Sequence, residues 1–290
     1  MSSVPTPQPW TAVLAKFEEA SSPEGRRQTG RFTVEGFRLV ERALNTGAAI
    51  EHILVGESAW NLPCERMQKL LKALASRQCS VVQVPDTVAD RITEGRTFGA
   101  VQALVALPVS LPFPEWLATR VAQAPQAPQA APLTLLVLEQ MMDPGNVGAL
   151  LRTAHAMGAD ALVAIGGSDP FHPRSARTSM GSIFRVPVFR TKTADELLTL
   201  LRQHRVCTIG AAIEASTQLP DVHFPTTHQA LFMGNEGEGL SHDTRAQLDH
   251  IVSIPMSEAI DSLSVNAATA VILYAMRHQN RIHTASAGDS

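Results

Sequence analysis

The stretch LFMGNEGEGLS, residues 231–241, ends an apolar run in three glycines and two carboxylates. Its beginning, residues 230–233, predicts a buried strand of a parallel sheet. Gly234, Gly237 and Gly239 allow positive φ and a close approach of a ligand to the backbone. We therefore expect a ligand at the carboxyl edge of this sheet.

The glycine spacing of this stretch bears on which class of ligand could bind there. GxxGxG differs from the GxGxxG of dinucleotide sites, and Glu236 and Glu238 would repel a pyrophosphate. A phosphate-binding loop is therefore disfavoured. A loop that binds another ligand and a tight turn with solvated acids both remain open on this stretch alone.

Length and composition bound the class of protein. A chain of 290 residues with 44% hydrophobic content is longer than one typical domain, which favours two domains. The net charge of -3 gives no general preference for nucleic acid, so that function must rest on local clusters. Three widely spaced cysteines favour free thiols over disulfides or zinc. Without an apolar run of about 20 residues or a secretory signal pattern, we expect a cytoplasmic protein with no membrane contact and no metal.

Composition along the chain predicts two α/β domains separated by a linker. The linker holds six prolines and the low-complexity run QAPQAPQAAP, with one helical turn near Trp116. Alternating strand and helix patterns on either side of it predict the domains. The predicted segments are an N-terminal extension (1–25), a small first domain (26–107), the linker (108–132), a second domain (133–282) and a tail (283–290).

The second domain opens with residues 133–138, a continuous apolar run typical of a central parallel strand. Asp143 and Pro144 then predict a helix start, and Gly158 predicts its end. Arg152 projects from the polar face of this helix, where an arginine is more often solvated than functional. Further strands are predicted at 161–165, 207–212, 230–233 and 250–254, followed by a last helix at 265–278.

The chain contains two clusters of basic residues, although its net charge is weakly negative. One interpretation is contact with a nucleic-acid backbone, and the other is a solvated helix face or polar loop in which Glu35 and Glu41 are local partners. The first cluster, interleaved with Phe32 and Phe37, contains Arg26, Arg27, Arg31, Arg38 and Arg42. The second contains Arg174, Arg177, Arg185, Arg190 and Lys192.

Three segments in this order resemble the SpoU group of the SPOUT superfamily, S-adenosylmethionine-dependent RNA 2′-O-ribose methyltransferases. DPGNVGALLRTAHAMGAD (143–160) resembles the first motif of the family, and LFMGNEGEGLS resembles the second. The third motif of the family is matched by VSIPM (252–256) with AIDSLSVNAATAVILY (259–274). A segment between the first two motifs resembles the family as well, namely ARTSMGSIFRVPV (176–188). FTVEGFRLVERAL (32–44) and FGAVQALV (98–105) are similar to the RNA-substrate domain often fused ahead.

The resemblance implies a mainly parallel sheet between helices, with a deep trefoil knot that forms the cofactor pocket. It also implies a homodimer and S-adenosylmethionine as the cofactor. Its second and third motifs assign cofactor contacts to Gly234, Ile254 and Leu263, with Met233 and Met256 as neighbours.

The resemblance further implies catalytic and substrate-binding residues. The candidates for catalysis are Asn146, Arg152, Glu236 and Ser262. A guanidinium with a pKa above ~12 is a poor base, so Arg152 is expected to stabilise the developing alkoxide and bridge it to a phosphate. The expected substrate is RNA, with ribosomal RNA favoured over tRNA. The expected RNA contacts are Arg26, Arg27, Arg31, Arg38, Arg174 and Arg177.

One position departs from the family pattern. The third motif usually reads SLNV, but here Ser264 replaces the asparagine, and Asn266 lies about 200° further round a helix. This departure keeps a second hypothesis open, namely an RNA-binding or ribosome-assembly factor that has lost methyl transfer. A nucleotide-dependent oxidoreductase is disfavoured because no GxGxxG opens a helix after the first strand.

Overall fold

The computed structural model describes residues 10–61, 65–77, 79–92, 100–123, 132–225, 227–257 and 262–286. The chain divides into two compact units. The first unit contains Met1–Val109 and Phe171–Phe184, and the second contains Ser110–Pro170 and Arg185–Ser290.

Helices and strands alternate along both units. The helices are α1 (Trp10–Ser21), α2 (Pro23–Thr29), α3 (Phe37–Asn45), α4 (Glu57–Trp60), α5 (Glu65–Ser76), α6 (Asp86–Ile92), α7 (Phe113–Gln123), α8 (Pro144–Met157), α9 (Pro173–Thr178), α10 (Ala194–Gln203), α11 (His242–Arg245) and α12 (Val265–Ser286). The strands are β1 (Arg31–Glu35), β2 (Ile50–Gly56), β3 (Ser80–Val84), β4 (Val101–Ala106), β5 (Thr134–Glu139), β6 (Ala161–Ile165), β7 (Val188–Thr191), β8 (Cys207–Ala211), β9 (Thr217–Gln218), β10 (Gln229–Met233) and β11 (His250–Ser253).

The first unit is built on a mixed four-stranded sheet in the order β1-β4-β2-β3. β4 pairs antiparallel with β1 and β2, and β2 pairs parallel with β3. Strand β1 was not predicted, because its RFTVE lies in a segment that was read as helical. It is a buried strand flanked by α2, which ends at Gly30 in a left-handed conformation, and α3.

Residues 10–25 are part of this unit rather than a separate extension. α1 buries Val13, Leu14 and Phe17 in one core cluster with Leu54 and Leu104 from the sheet. The apolar face of α1 therefore has its partner in the first domain itself, which corrects the predicted boundary at residue 25.

The predicted linker contains more structure than one turn. α7 spans Phe113–Gln123, and its Leu117 is fully buried in the core of the second unit. Trp116 and Phe113 pack beside Phe189 with ring centroids about 5 Å apart. Residues 113–123 thus belong to the second domain, while residues 124–131 of the low-complexity run lie outside the described residues.

The second unit is built on a seven-stranded sheet in the order β7-β6-β5-β10-β8-β11-β9, in which every pairing is parallel. This confirms the predicted fold class. β10 lies between β5 and β8, so the carboxyl ends of these strands meet at one edge. The knot is a property of the path of the chain rather than of strand order, and it stays a prediction.

The caps of α8 form as the sequence predicts. The Asp143 side chain accepts from the backbone N–H groups of Gly145 and Asn146, and Gly158 closes the helix with φ of 77°. The described part of the chain contains no helix long and apolar enough to cross a membrane. Within the same residues, no group of three or more His, Cys, Asp or Glu side chains could hold a metal ion.

Candidate active site

The glycine-rich stretch after β10 folds back on itself as a small hairpin. The backbones of Asn235 and Gly239 exchange two hydrogen bonds, of 3.0 and 2.9 Å. Gly239 has φ of 71°, whereas Gly234 and Gly237 do not have positive φ. A Cβ on Gly234 would lie 2.0 Å from the backbone of Gly239, so the returning chain itself requires glycine at 234. Of the three glycines that allow positive φ, Gly239 is the one that adopts it.

The side chain of Asn235 holds this hairpin in place. Its Oδ1 accepts from the backbone N–H of Gly237 at 2.7 Å, and its Nδ2 donates to the carbonyl of Gln140 at 3.1 Å. The second hydrogen bond ties the loop after β10 to the loop after β5. The two loops are therefore fixed to each other by a side chain that the sequence analysis did not select.

Asn146 and Glu236, two of the predicted catalytic residues, are in direct contact. Asn146 Nδ2 donates to Glu236 Oε1 at 2.8 Å, and the backbone N–H of Asp143 lies 3.4 Å from the same oxygen. Asn146 stands in the first turn of α8, whose N-terminal end favours a negative charge. The structure thus places a carboxylate from the second motif against the helix start of the first.

The pKa of Glu236 is lowered from its ordinary value of 4.5. Partial burial opposes ionisation, but it is outweighed by hydrogen bonds from the Asn146 side chain and from the backbone N–H groups of residues 236, 143 and 142. Glu236 is therefore a carboxylate at neutral pH. It can accept hydrogen bonds and orient an amide, but it cannot donate a proton.

Glu139, at the end of β5, holds the segment that follows the glycine-rich loop, although it was not among the residues predicted from the sequence. Its side chain is 6% exposed. Its carboxylate accepts from the backbone N–H and the hydroxyl of Ser241, at 3.0 and 2.8 Å, and from the hydroxyl of Thr244 at 2.5 Å. The signal was an acid placed directly after the apolar run LTLLVL, at the carboxyl end of a central parallel strand.

The loop after β5 is also held from its other side, by the loop after β6. The backbone N–H of Ser168 donates to the carbonyl of Met141 at 2.8 Å, and the Ser168 hydroxyl donates to the carbonyl of Met142 at 2.5 Å. A Cβ at Gly167 would lie 2.5 Å from the Met141 carbonyl oxygen, so the two loops touch. The backbone that leads to Asp143 and Asn146 is therefore held by the loop after β10 and by the loop after β6.

Arg152 is exposed on α8 and forms no hydrogen bond or ion pair with the described residues. Arg152 lies six positions after Asn146 on α8, which amounts to about 9 Å along the axis and about 120° around it. Arg152 therefore does not join the Asn146–Glu236 pair through the geometry of its own helix.

The residues predicted from the third motif are found in different environments. Ser262 and Leu263 are exposed, and Ile254 and Met256 are half-buried. Met233, which comes from the second motif, is only 4% exposed, so its side chain belongs to the core of the sheet.

Ser264 has a clear structural role. Its hydroxyl accepts from the backbone N–H of Ala267 at 3.3 Å, which is the capping geometry at the start of α12. Asparagine and serine serve this position about equally well, so the departure from SLNV keeps the helix start intact.

The predicted RNA-binding arginines differ in how far their side chains are exposed. Arg26 is 1% exposed and donates to the backbone carbonyls of Ala20 and Ser21, so the prediction that it contacts RNA was wrong. Arg27 pairs with Glu24, Arg31 with Glu51 and Arg177 with Glu35. Arg38 and Arg174 are exposed.

Comparison with known proteins matches two regions of the chain to known families. Residues 133–274 match the SpoU rRNA Methylase family, and residues 20–103 match the MRM3-like substrate binding domain. The 23S rRNA (uridine(2479)-2'-O)-methyltransferase of Streptomyces viridochromogenes is 27% identical over 96% of this chain and 92% of its own length. The 23S rRNA (guanosine(2553)-2'-O)-methyltransferase RlmP of Bacillus subtilis is 27% identical over 87% of this chain and 90% of its own length.

Solved structures show the same fold over nearly the whole chain. The SpoU methyltransferase AviRb from Streptomyces viridochromogenes, in complex with the cofactor AdoMet, superposes with a TM-score of 0.76 at 25% identity. The superposition covers 93% of this chain and 98% of that chain. With the three motifs in order, the parallel sheet and both matched regions, the chain belongs to the SpoU methylase family and carries an MRM3-like substrate binding domain.

Proposed function

We propose that the protein transfers a methyl group from S-adenosylmethionine to a ribose 2′-hydroxyl of ribosomal RNA. The observation that carries the proposal is the Asn146–Glu236 contact, which joins the first and second family motifs at the carboxyl edge of the sheet. The similar proteins of Streptomyces viridochromogenes and Bacillus subtilis are both named 23S rRNA 2'-O-methyltransferases.

The residues at this edge fit an adenosyl cofactor. The backbone from Gly234 to Gly239 offers polar groups, and Leu263 leaves a large apolar side chain 40% exposed in the third motif. Flat adenine rings bind between apolar side chains and a few placed polar groups. We assign contacts with the cofactor to Gly234, Ile254, Leu263 and Met256. When bound, S-adenosylmethionine supplies a methyl group that its positive sulfonium makes open to displacement.

The protein contributes position and charge rather than a strong base. In-line attack by the ribose oxygen depends on orientation, which can account for a large share of the barrier. Asn146, held by the Glu236 carboxylate, and Ser262 are proposed to orient the substrate. In the transfer, the bond from the 2′ oxygen to the methyl carbon would form as the bond from sulfur to that carbon breaks, with S-adenosylhomocysteine leaving and the hydroxyl proton passing to solvent. Arg152 is proposed to stabilise the charge that develops on the 2′ oxygen and to bind the adjacent phosphate through its planar guanidinium.

The position of Arg152 favours a dimeric site. Because Arg152 lies away from the Asn146–Glu236 pair of its own chain, we propose that it serves the site of a second copy in a homodimer. α8 packs against α12, and α12 exposes the large apolar side chains Val271 and Tyr274. Exposed apolar side chains beside the arginine helix are consistent with an interface there.

The first unit supplies the RNA-binding part of the proposal. It contains the region that matches a substrate binding domain, together with the exposed arginines Arg38 and Arg174. Ribosomal RNA is favoured over tRNA because the similar proteins that share this two-part organisation act, by their names, on 23S rRNA. A ribosomal RNA substrate would place the protein in the cytoplasm.

The test is methyl transfer from labelled S-adenosylmethionine to unmodified 23S rRNA and tRNA transcripts, followed by digestion and mass analysis of the nucleosides. We expect a labelled 2′-O-methylnucleoside from the rRNA. Arg152→Lys should lower turnover by about 100-fold, since one oriented donor to a developing oxyanion is worth that much. Arg120→Lys, which changes another arginine of the second unit, is the matched control.

Three outcomes would contradict parts of the proposal. Label on a base would refute ribose methylation. Near-normal turnover of Arg152→Lys would refute the proposed role of its guanidinium. Binding of both cofactor and RNA without transfer would favour the non-catalytic assembly factor.

A further inference from the structure

Helix α1 lies almost entirely ahead of the region that matches the substrate binding domain, which begins at residue 20. Its buried side chains nevertheless share a core cluster with Leu54 of β2 and Leu104 of β4. His52 precedes Leu54 by two positions on β2, so both side chains lie on the same face of the sheet. His52 also stands opposite Leu104 in the pairing of β2 with β4. The imidazole of His52 therefore lies on the sheet face that α1 covers.

His52 is in direct contact with α1. Nζ of Lys16 lies 2.9 Å from Nε2 of His52, and His52 is only 9% exposed. An ammonium group has no lone pair, so it can only donate in this contact. Nε2 must therefore accept, which leaves the ring neutral with its hydrogen on Nδ1. Nδ1 is buried, and it has no hydrogen-bond partner among the residues that the structure describes.

The charges around His52 oppose a further positive charge. Lys16 of α1 and Arg31 of β1 disfavour protonation of the ring, whereas Glu51 of β2 favours it. Glu51 is already bonded to Arg31 at 2.6 Å, and strands β3 and β4, which flank β2, carry no charged side chain. The other charged side chains on helices that pack on β2 are Glu57 of α4 and Asp86, Asp90 and Arg91 of α6.

Protonation of His52 would place a second cation 2.9 Å from the Lys16 ammonium. Burial lowers the pKa of His52 from its ordinary value of 6.5, and the charge of Lys16 lowers it further. Undocking of α1 removes both causes, because the ring then meets solvent and Lys16 leaves with its helix. Since the lowered pKa belongs to the docked state, docking is fully stable above about pH 6.5 and weakens as pH falls below that value.

We infer that His52 is a pH-sensitive switch that controls the docking of α1 on the first unit. The helix is held while the imidazole is neutral, and it is released in a growing fraction of molecules as the ring gains a proton. The ion pair between Glu18 of α1 and Arg91 of α6 is a second attachment of the same helix. Methyl transfer plays no part in this switch.

Hydrogen exchange of the full chain, read by mass spectrometry of peptides from α1, measures how often the helix opens. The exchange is compared at about pH 7.5 and about pH 5.5, after correction for the intrinsic pH dependence of amide exchange. We expect opening of α1 to increase by up to about tenfold at the lower pH, because that pH lies about one unit below the ordinary pKa of histidine.

Two variants and a control distinguish the switch from a merely structural contact. His52→Gln keeps an acceptor for Lys16 but cannot gain a proton, so α1 should be equally protected at both pH values. Lys16→Gln changes an exposed residue and removes the opposing cation, so the increase in acid should become smaller. Glu18→Gln removes the ion pair with Arg91 and should raise opening equally at both pH values.

Equal protection of wild-type α1 at both pH values would overturn the inference. So would a pH dependence that survives in His52→Gln, because another group would then be responsible. An undiminished response in Lys16→Gln would show that the contact with His52 does not control the helix, and it would overturn the inference as well. A failed methylation assay leaves all of these measurements intact.

Discussion

The two units hold their buried carboxylates in different ways. In the second unit, Glu139 accepts only hydrogen bonds from neutral groups of Ser241 and Thr244, which follow a neighbouring strand. In the first unit, Glu35 is paired with the charge of Arg177, which lies 142 residues away in sequence. The carboxyl edge of the second sheet is thus held by groups that adjacent strand ends bring together, whereas the first unit depends on a distant piece of chain.

The largest effect is expected from a substitution that breaks the hydrogen bonds of Glu139. Glu139→Gln replaces one acceptor oxygen with an NH2 group, which would then face the hydrogen-bond donors of Ser241 or Thr244. We expect the free energy of unfolding to fall by about 2–3 kcal/mol, since buried donors lose their partners. Urea denaturation measures this loss, and the Michaelis constant for S-adenosylmethionine should rise with it.

Glu214→Gln is the matched control for Glu139, because Glu214 is exposed and forms only a surface pair with Arg245. It should change stability by no more than about 0.5 kcal/mol. Equal stability of the two variants would mean that Glu139 does not hold the loop after β10.

The second prediction concerns the ion pair between Arg177 and Glu35 in the first unit. Arg177→Gln leaves Glu35 shielded from water without its cation. We expect a loss of about 1–2 kcal/mol, toward the low end for a hydrogen bond to a charged group, because Arg177 is 29% exposed and solvent screens part of the pair. Thermal denaturation measures the loss, with Arg91→Gln as the control. An unchanged melting temperature for Arg177→Gln would contradict a stabilising role of the pair.

The third prediction concerns the pH dependence of the Glu236 contact. The folded-state pKa of Glu236 is lowered, so its contribution to stability is present above the unfolded pKa and is lost as pH falls through the folded pKa. The difference in melting temperature between wild type and Glu236→Gln should be constant near neutral pH and shrink below about pH 4.5.

Glu238→Gln, two residues along the same hairpin, is the control for removing a carboxylate charge. At neutral pH its melting temperature should lie closer to that of wild type than the melting temperature of Glu236→Gln does, because Glu236 is the residue that accepts from Asn146. A Glu236 difference that persists undiminished in acid would show that the carboxylate charge is not what joins the two loops.

The smallest expected effect is at Ser264. Because serine and asparagine cap helices about equally, Ser264→Asn should change stability by no more than a few tenths of a kcal/mol. Methyl transfer should stay within about twofold of wild type. A large gain in transfer would show that the position is tuned for substrate rather than for the start of α12.

Local patterns predicted much of the second unit correctly. The caps at Asp143 and Gly158 and the apolar strands were all readable, because each depends on neighbours within a few residues. The contact of Asn146 with Glu236 lies across 90 residues, and only the family resemblance selected both.

The failures have a common physical reason. Arg26 and Arg38 have the same side chain in one basic stretch, yet Arg26 of α2 is buried against the end of α1 and Arg38 is exposed. The apolar stripe of α1 indicated a buried face but not its partner. Burial depends on which element packs where, and spacing along the chain does not contain that information.

The sequence by itself determined the α/β class, the strand before the glycine-rich loop and the family motifs, since these are set by local periodicity and by residue types at fixed spacing. Only the tertiary structure decided that Gly234 is required by the returning chain and that Glu139 supports the loop after β10. It also decided that residues 171–184 complete the first unit. These features arise from contacts between segments far apart in sequence, whose geometry is fixed only when the sheets and helices pack.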